Sequence, residues 1–340
     1  MHIPDGYLGP YTYIAMWIIM IPIWYYAGNR LGRELKSKQV PLLALAAAFS
    51  FIIMMFNLPV PGGSTGHAVG GAIIGIVLGP WAALISISVA LIIQCLVFGD
   101  GGFTTLAANC FNIALILPFS AYYIYKFMSG NSDLNSSRRP VAAAIAGYVS
   151  LVLAAGITGF MFGIQPLLHR NASGLPEYMP FDLNITLPFM LLEHLLFFGV
   201  IEALVTVLVF SYIRSSDPTL LKAGSVGSLA KLGGATGGNK AIKTMAAFLL
   251  ILIVLTPLGL LAAGDTFGEW GPEELKEKIG FVPPGLEQLS SLWNAPMPDY
   301  AFPGGGSMTL SAAAYILSAI IGVIVCSGLL YLLGKKIAKD

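Results

Sequence analysis

Residues 80–98 read PWAALISISVALIIQCLVF, nineteen positions without one charged side chain. A bilayer-crossing helix needs about 20 predominantly apolar residues, with a range of roughly 17–25. This stretch meets that requirement and is too long for a single buried strand. Outward from it, comparable apolar runs occupy about 11–28, 40–58, 106–126, 140–163, 185–213, 244–263 and 307–334. One further run, 68–79, is too short for a straight crossing. It is rich in glycine (Gly70, Gly71, Gly75, Gly79) and ends at Pro80. Small residues let helices approach closely, so it reads as a short helix packed inside the bundle. The predicted fold is all-α: a polytopic membrane helix bundle of about seven helices plus a C-terminal two-helix unit.

Composition agrees. The chain is 56% hydrophobic and 10% charged, where a soluble domain carries about 25% charged residues. Cys95, Cys110 and Cys326 all fall in apolar runs and show no CxxC or Cys/His spacing. They are expected as small buried core residues, not as a disulfide framework or a zinc finger.

The placement of charge orients the bundle. Segments 29–39, 126–140, 214–243 and 335–340 hold fifteen of the eighteen Lys and Arg residues. The opposite segments hold only Arg170, Lys276 and Lys278. By the positive-inside rule the N-terminus lies outside and the C-terminus inside. The rule also asks for two crossings within 68–98, because a single one would put Lys126, Arg138 and Arg139 outside. Eleven of the seventeen acids fall on the outer side, where they attract cations mildly.

The chain divides into a bundle over 1–213, a linker over 214–243 and a two-span unit over 244–340. The linker is rich in Gly, Ser, Ala and Lys, which reads as flexible and cytoplasmic. The last unit carries an outer loop, 264–306, with seven acids and two lysines. The glycine-rich GGATGGNK at 233–240 lacks the Gly-Lys-Ser/Thr ending and the preceding strand of a phosphate loop. Any ATPase must therefore be a separate chain.

The four histidines are His2, His67, His169 and His194. The first three read as extracytoplasmic, and His194 as lying in the outer half of a span. No basic n-region or cleavage site precedes the first span, so Met1 is expected to keep a free α-amine. A free amine, the peptide nitrogen of residue 2 and the Nδ1 atom of a histidine at residue 2 can chelate one metal in a plane. That arrangement leaves one corner open, and His67 can fill it. An all-nitrogen planar set favours Ni(II) or Cu(II), with Co(II) also compatible. The amide proton leaves on binding, so affinity should fall at acid pH.

Three stretches then carry a resemblance: MHIPDGYLGP at 1–10, GGSTGHAVGG at 62–71, and FGDGG at 98–102 followed by Asn109 and Asn112. Over residues 1 to about 213 the chain resembles the CbiM/NikM family, the substrate-binding (S) components of energy-coupling-factor transporters for cobalt and nickel. The C-terminal unit, with Gly268-Glu269-Trp270-Gly271, resembles the small two-span partner fused to some members. The resemblance implies a metal held by Met1, His2 and His67. Asp5, Asp100, Asn109 and Asn112 are implied as supporting residues. Pro4-Asp5-Gly6 reads as a stiff turn that tucks the N-terminus into the bundle.

The resemblance also implies a transmembrane coupling protein and two cytoplasmic ATPase subunits as partners. It implies membrane lipid as surroundings, no nucleic acid and no permanently bound cofactor, only transported Co(II) or Ni(II). The location implied is a bacterial or archaeal cytoplasmic membrane, where the import supplies cobalamin biosynthesis or nickel enzymes. Within the spans, Glu193, His194 and Glu202 are the ionisable residues. His194 is a candidate transient ligand and Glu202 a buried structural or conformational residue. A self-sufficient divalent-metal carrier or channel is the alternative. An intramembrane metalloprotease would need a second histidine spaced as in HExxH, which Glu193-His194 lacks.

Overall fold

The computed structural model describes residues 1–61, 64–231, 239–262, 266–302, 304 and 306–338. Helix dominates them. Strand is limited, among the described residues, to a two-residue antiparallel ladder, Leu58–Pro59 with Thr65–Gly66, and one bridge between Arg170 and Pro176. Among the described residues, seven helices are long and apolar enough to cross a membrane. The chain is a polytopic helical membrane protein.

The first helix, α1 (Pro10–Glu34), opens on proline at its first position, where the missing N–H costs nothing. It is not among those seven, because its Tyr and Trp residues dilute its apolarity. It nevertheless exposes Ile14, Ile18, Ile21 and Tyr25 along one stripe, a spacing that faces lipid. The centre of the bundle is α2 (Val40–Met54), α3 (Gly71–Leu78) and α4 (Pro80–Phe98). Every residue of α3 is buried, so the glycine-rich run is the internal helix that its length predicts. Around them lie α5 (Leu106–Ser129), α6 (Arg138–Leu168) and α7 (Leu183–Ser216). On α7, Leu192, Leu196, Val200, Leu204 and Leu208 are exposed, again one lipid-facing stripe. Cys95, Cys110 and Cys326 are buried and unpaired.

Three helices contain a wider π-helical turn: Gln94–Phe98 in α4, Cys110–Ile116 in α5 and His194–Phe198 in α7. Such turns displace side chains from their α-helical positions and recur at functional sites.

The expected linker, 214–243, holds short helices among its described residues. Its first half folds into α8 (Pro218–Ala223) and α9 (Val226–Lys231). The cause is local. Asp217 accepts a hydrogen bond from the Thr219 amide, Pro218 starts the helix, and Leu220, Leu221 and Val226 are buried. Gln39 Nε2 donates to the Val226 carbonyl at 3.2 Å. Of the glycine-rich GGATGGNK, residues 233–238 lie outside the described residues.

The C-terminal unit contains α10 (Asn239–Leu255), α11 (Pro272–Ile279), α12 (Pro284–Leu289) and α13 (Met308–Ile337). Helix α13 packs along α2. Its long connection is docked on the bundle. Trp293 Nε1 donates to the Leu96 carbonyl at 3.0 Å, Met297 N–H to Val97 at 3.0 Å and Gly285 N–H to Glu177 at 2.7 Å. This end of the bundle, which also receives residues 1–9, is the mouth.

Candidate metal centre

The N-terminal segment is held in the mouth by a clamp on the backbone N–H and C=O of one residue, Ile3. Asn109 Oδ1 accepts the Ile3 N–H at 2.8 Å, and Asn109 Nδ2 donates back to the Ile3 carbonyl at 3.1 Å. The same carbonyl accepts from Thr105 Oγ1 at 2.5 Å and from Gly102 N–H at 2.8 Å. Asp5 accepts from the Phe103 and Thr104 amides, each at 2.7 Å, and from the Thr104 hydroxyl. Two glycines make this close approach feasible. Gly6 has φ +87° and its added Cβ would collide with the Leu286 backbone; Gly102 lies directly against Asp5. Met1, His2 and Ile3 are buried as a result.

The hydrogen bonds around His2 decide its tautomer. Gln94 Nε2 points to Asp100 Oδ2 at 3.2 Å, an atom that only accepts, so Gln94 Oε1 faces His2 Nε2 at 3.3 Å. Nε2 therefore carries the proton and Nδ1 carries the lone pair. Nδ1 is buried and has no hydrogen-bond partner, although Asp100 Oδ1 lies 3.3 Å away. Among the described residues nothing accepts the His2 amide hydrogen.

The short ladder delivers His67 opposite. Its Nδ1 lies 3.0 Å from the Ala68 carbonyl, which takes the ring proton and leaves the lone pair on Nε2. The two imidazole centroids are 5.2 Å apart, inclined at 43°. Burial, reinforced by the nearby terminal ammonium, pushes His2 down to about 4. Burial, then His2 and that same ammonium, pushes His67 down to about 3. Both rings are thus neutral near pH 7, the form that ligates a metal. The Met1 ammonium donates to Glu269 Oε1 at 3.1 Å.

Among the described residues no group of three His, Cys, Asp or Glu side chains could hold a metal. The nitrogens assembled at the mouth are of another kind: an amine, a peptide nitrogen and two imidazoles.

The remaining predicted residues divide. Asp100 and Asn109 border the N-terminal segment, and Asp5 pins it to residues 103–104. Among the described residues, Asn112 makes no hydrogen bond to the N-terminal segment. It donates to Thr158 Oγ1 at 3.0 Å on α6, because the π-helical turn takes more residues per revolution and position i+3 leaves the Asn109 face. His194 hydrogen-bonds within its own helix, Nδ1 to the Met190 carbonyl at 2.8 Å, and packs on Phe198. Glu193 lies beside Ser64. Glu202 caps α3: Oε2 accepts from Val69 and Gly70 at 2.8 and 2.9 Å, and Oε1 from Ala72 at 3.2 Å. Sequence reasoning missed Gln94, Thr105, Glu269 and Tyr300. Gln94 carried a signal, being the only amide side chain within 80–98. Tyr300 carried none.

Residues 2–220 match the CbiM family, described as the cobalt uptake substrate-specific transmembrane region. The chain belongs to the CbiM family. In this CbiM-family chain a second unit follows, since residues 242–339 match the PDGLE domain. The fused nickel transport protein NikMN of Rhodobacter capsulatus is 40% identical over 95% of this chain and 94% of its own length. The probable fused nickel transport protein LarMN of Lactiplantibacillus plantarum is 38% identical over 96% and 95%. A crystal structure of a transition metal transporter, 44% identical, superposes with a TM-score of 0.60 over 64% of this chain and 94% of that one. The CbiM family comprises transport proteins, and this chain is not an enzyme.

Proposed function

We propose that the chain is the substrate-binding membrane component of an ATP-driven energy-coupling-factor importer for Co(II) or Ni(II). The observation that carries this reading is the buried His2 Nδ1, which has no hydrogen-bond partner. It lies beside a chain-terminal amine and opposite His67. The metal is substrate, held by the Met1 amine, the His2 amide nitrogen, His2 Nδ1 and His67 Nε2. Binding requires the amine to leave Glu269 and lose a proton, and the His2 amide to lose another. A chelate of five- and six-membered rings from two consecutive residues supplies three coplanar donors, which suits Ni(II) and is open to Co(II). The relatives' names, nickel transport for the fused chains and cobalt uptake for the family, support the same pair of metals.

The N-terminus faces outside in this reading, so capture precedes import. A transmembrane coupling protein and two ATPase subunits, all separate chains, drive the release inside. Uptake of radioactive nickel and cobalt by cells producing the complete system tests it. Uptake is expected to stop on deletion of the ATPase chains. Undiminished uptake without them would instead establish the chain as a self-sufficient carrier.

A further inference from the structure

Besides Glu269, the C-terminal unit reaches the metal centre through a side chain with an unusual backbone. Asp299 and Tyr300 are, among the described residues, the only non-glycine residues with positive φ, at 53° and 58°. Side-chain-bearing residues avoid this region, and such strain concentrates where geometry serves a function. Here it turns the Tyr300 ring inward. The ring is buried, stacks on Phe98 at 4.8 Å and meets Tyr315 at 5.5 Å. Its hydroxyl donates to Asp100 Oδ2 at 2.5 Å and accepts from Gln94 Nε2 at 3.2 Å.

Those partners are the two groups that compete for the His2 proton. Gln94 Oε1 draws it to Nε2, which frees Nδ1 for a metal. Asp100 Oδ1, 3.3 Å from Nδ1, would draw it to the wrong nitrogen and block the metal. The Tyr300 hydroxyl acts on both sides of this competition. It occupies Asp100 through Oδ2 and so weakens the carboxylate's pull. Having donated its proton, it can only accept from Gln94, which fixes that amide with its oxygen toward His2.

We propose that Tyr300 is a positioning residue of the metal centre, selecting the metal-binding tautomer of His2 through Asp100 and Gln94. The fused C-terminal unit thereby becomes part of the centre's affinity. This rests on the metal-binding reading above, but the tautomer itself can be read without metal.

The test uses full-length protein with a C-terminal tag in detergent. The forms compared are wild type, Tyr300→Phe, Gln94→Leu, the double variant and Tyr315→Phe. Tyr300→Phe keeps the ring and its packing on Phe98. Tyr315→Phe removes a hydroxyl from the same aromatic cluster that bonds elsewhere, to the Met55 carbonyl. Nitrogen-15 histidine NMR on metal-free protein, with His2→Ala to assign the signal, should show His2 protonated at Nε2 in wild type and in Tyr315→Phe. In Tyr300→Phe the two tautomers should mix. Nickel titration should show Tyr300→Phe weakened about 10–100-fold, the usual effect of losing a group that orients a ligand. The double variant should lose less than the two single losses combined, since both act on one proton. An unchanged tautomer in Tyr300→Phe, or equal affinity losses in Tyr300→Phe and Tyr315→Phe, would overturn the proposal. Failure of wild type to bind nickel or cobalt would sink the metal reading instead, and the NMR comparison would still decide the role of Tyr300.

Discussion

Two of the buried polar centres in this bundle are completed to different degrees. At Glu202 both carboxylate oxygens are engaged, by the amides of Val69, Gly70 and Ala72. These are the unpaired donors at the start of α3, and the carboxylate does for them what a capping side chain does in a soluble helix. At the mouth the hydrogen bonds stop one atom short. Ile3, Asp5, Gln94 and Asn109 are tied, while His2 Nδ1 has no hydrogen-bond partner. A closed polar network holds a structure together, whereas an open one has capacity for a ligand. Openness alone is insufficient. Asn112 Oδ1 is also unpartnered, but its amide nitrogen is tied to Thr158 and Met161. At the mouth an amine and a second imidazole converge on the open atom.

On the proposed function, this contrast makes Glu202 a matter of stability and His2 a matter of binding. The largest expected effect follows from His2→Ala, which should remove stoichiometric nickel or cobalt, measured by elemental analysis, while the protein stays folded. Glu202→Ala should do the reverse. It leaves three buried amides without an acceptor, at about 1–3 kcal/mol each. Thermal unfolding in detergent should move sharply down, with the metal affinity of the surviving folded protein nearly unchanged. A Glu202→Ala protein of normal stability that no longer binds metal would break the comparison.

Asn109 and Asn112 sharpen it. Asn109→Ala opens the clamp on the Ile3 backbone and should weaken nickel binding about 10–100-fold. Asn112→Ala should leave affinity where it was, because that side chain faces α6. Acid should act through the same centre. The lowered pKa values of His2, about 4, and His67, about 3, mean that imidazole protonation does not limit binding near neutral pH. The amine and amide protons do, so affinity should already fall from pH 8 to pH 6. The metal-free protein should respond separately. A histidine whose pKa is lowered on folding binds more protons when released, so the tucked N-terminus loses stability as pH falls from about 6.5 toward 4.

Much of the fold was legible from the chain alone, since lipid imposes a length and a composition on every span. The run 80–98 is reproduced as α4 to the residue, and the short 68–79 run is the buried α3. Within the linker stretch, capping chemistry at Asp217-Pro218 starts a short helix that the flexible composition did not announce. At the centre, His2 and His67 were readable because few side chains share their chemistry. Asn109 and Asn112 looked equivalent at a spacing of three, and a π-helical turn separates them. Glu269 and Tyr300 stand more than 200 positions from their partners Met1 and Gln94. No local pattern announces such a pairing, and only the docking of the C-terminal unit brings them in.

The central claim is that the chain's own α-amine is a metal ligand. Its most direct test is metal content in two proteins tagged only at the C-terminus, one beginning at Met1 and one with a short peptide placed before it. The account predicts about one Ni or Co per chain in the first and none in the second. Equal metal in both would contradict it.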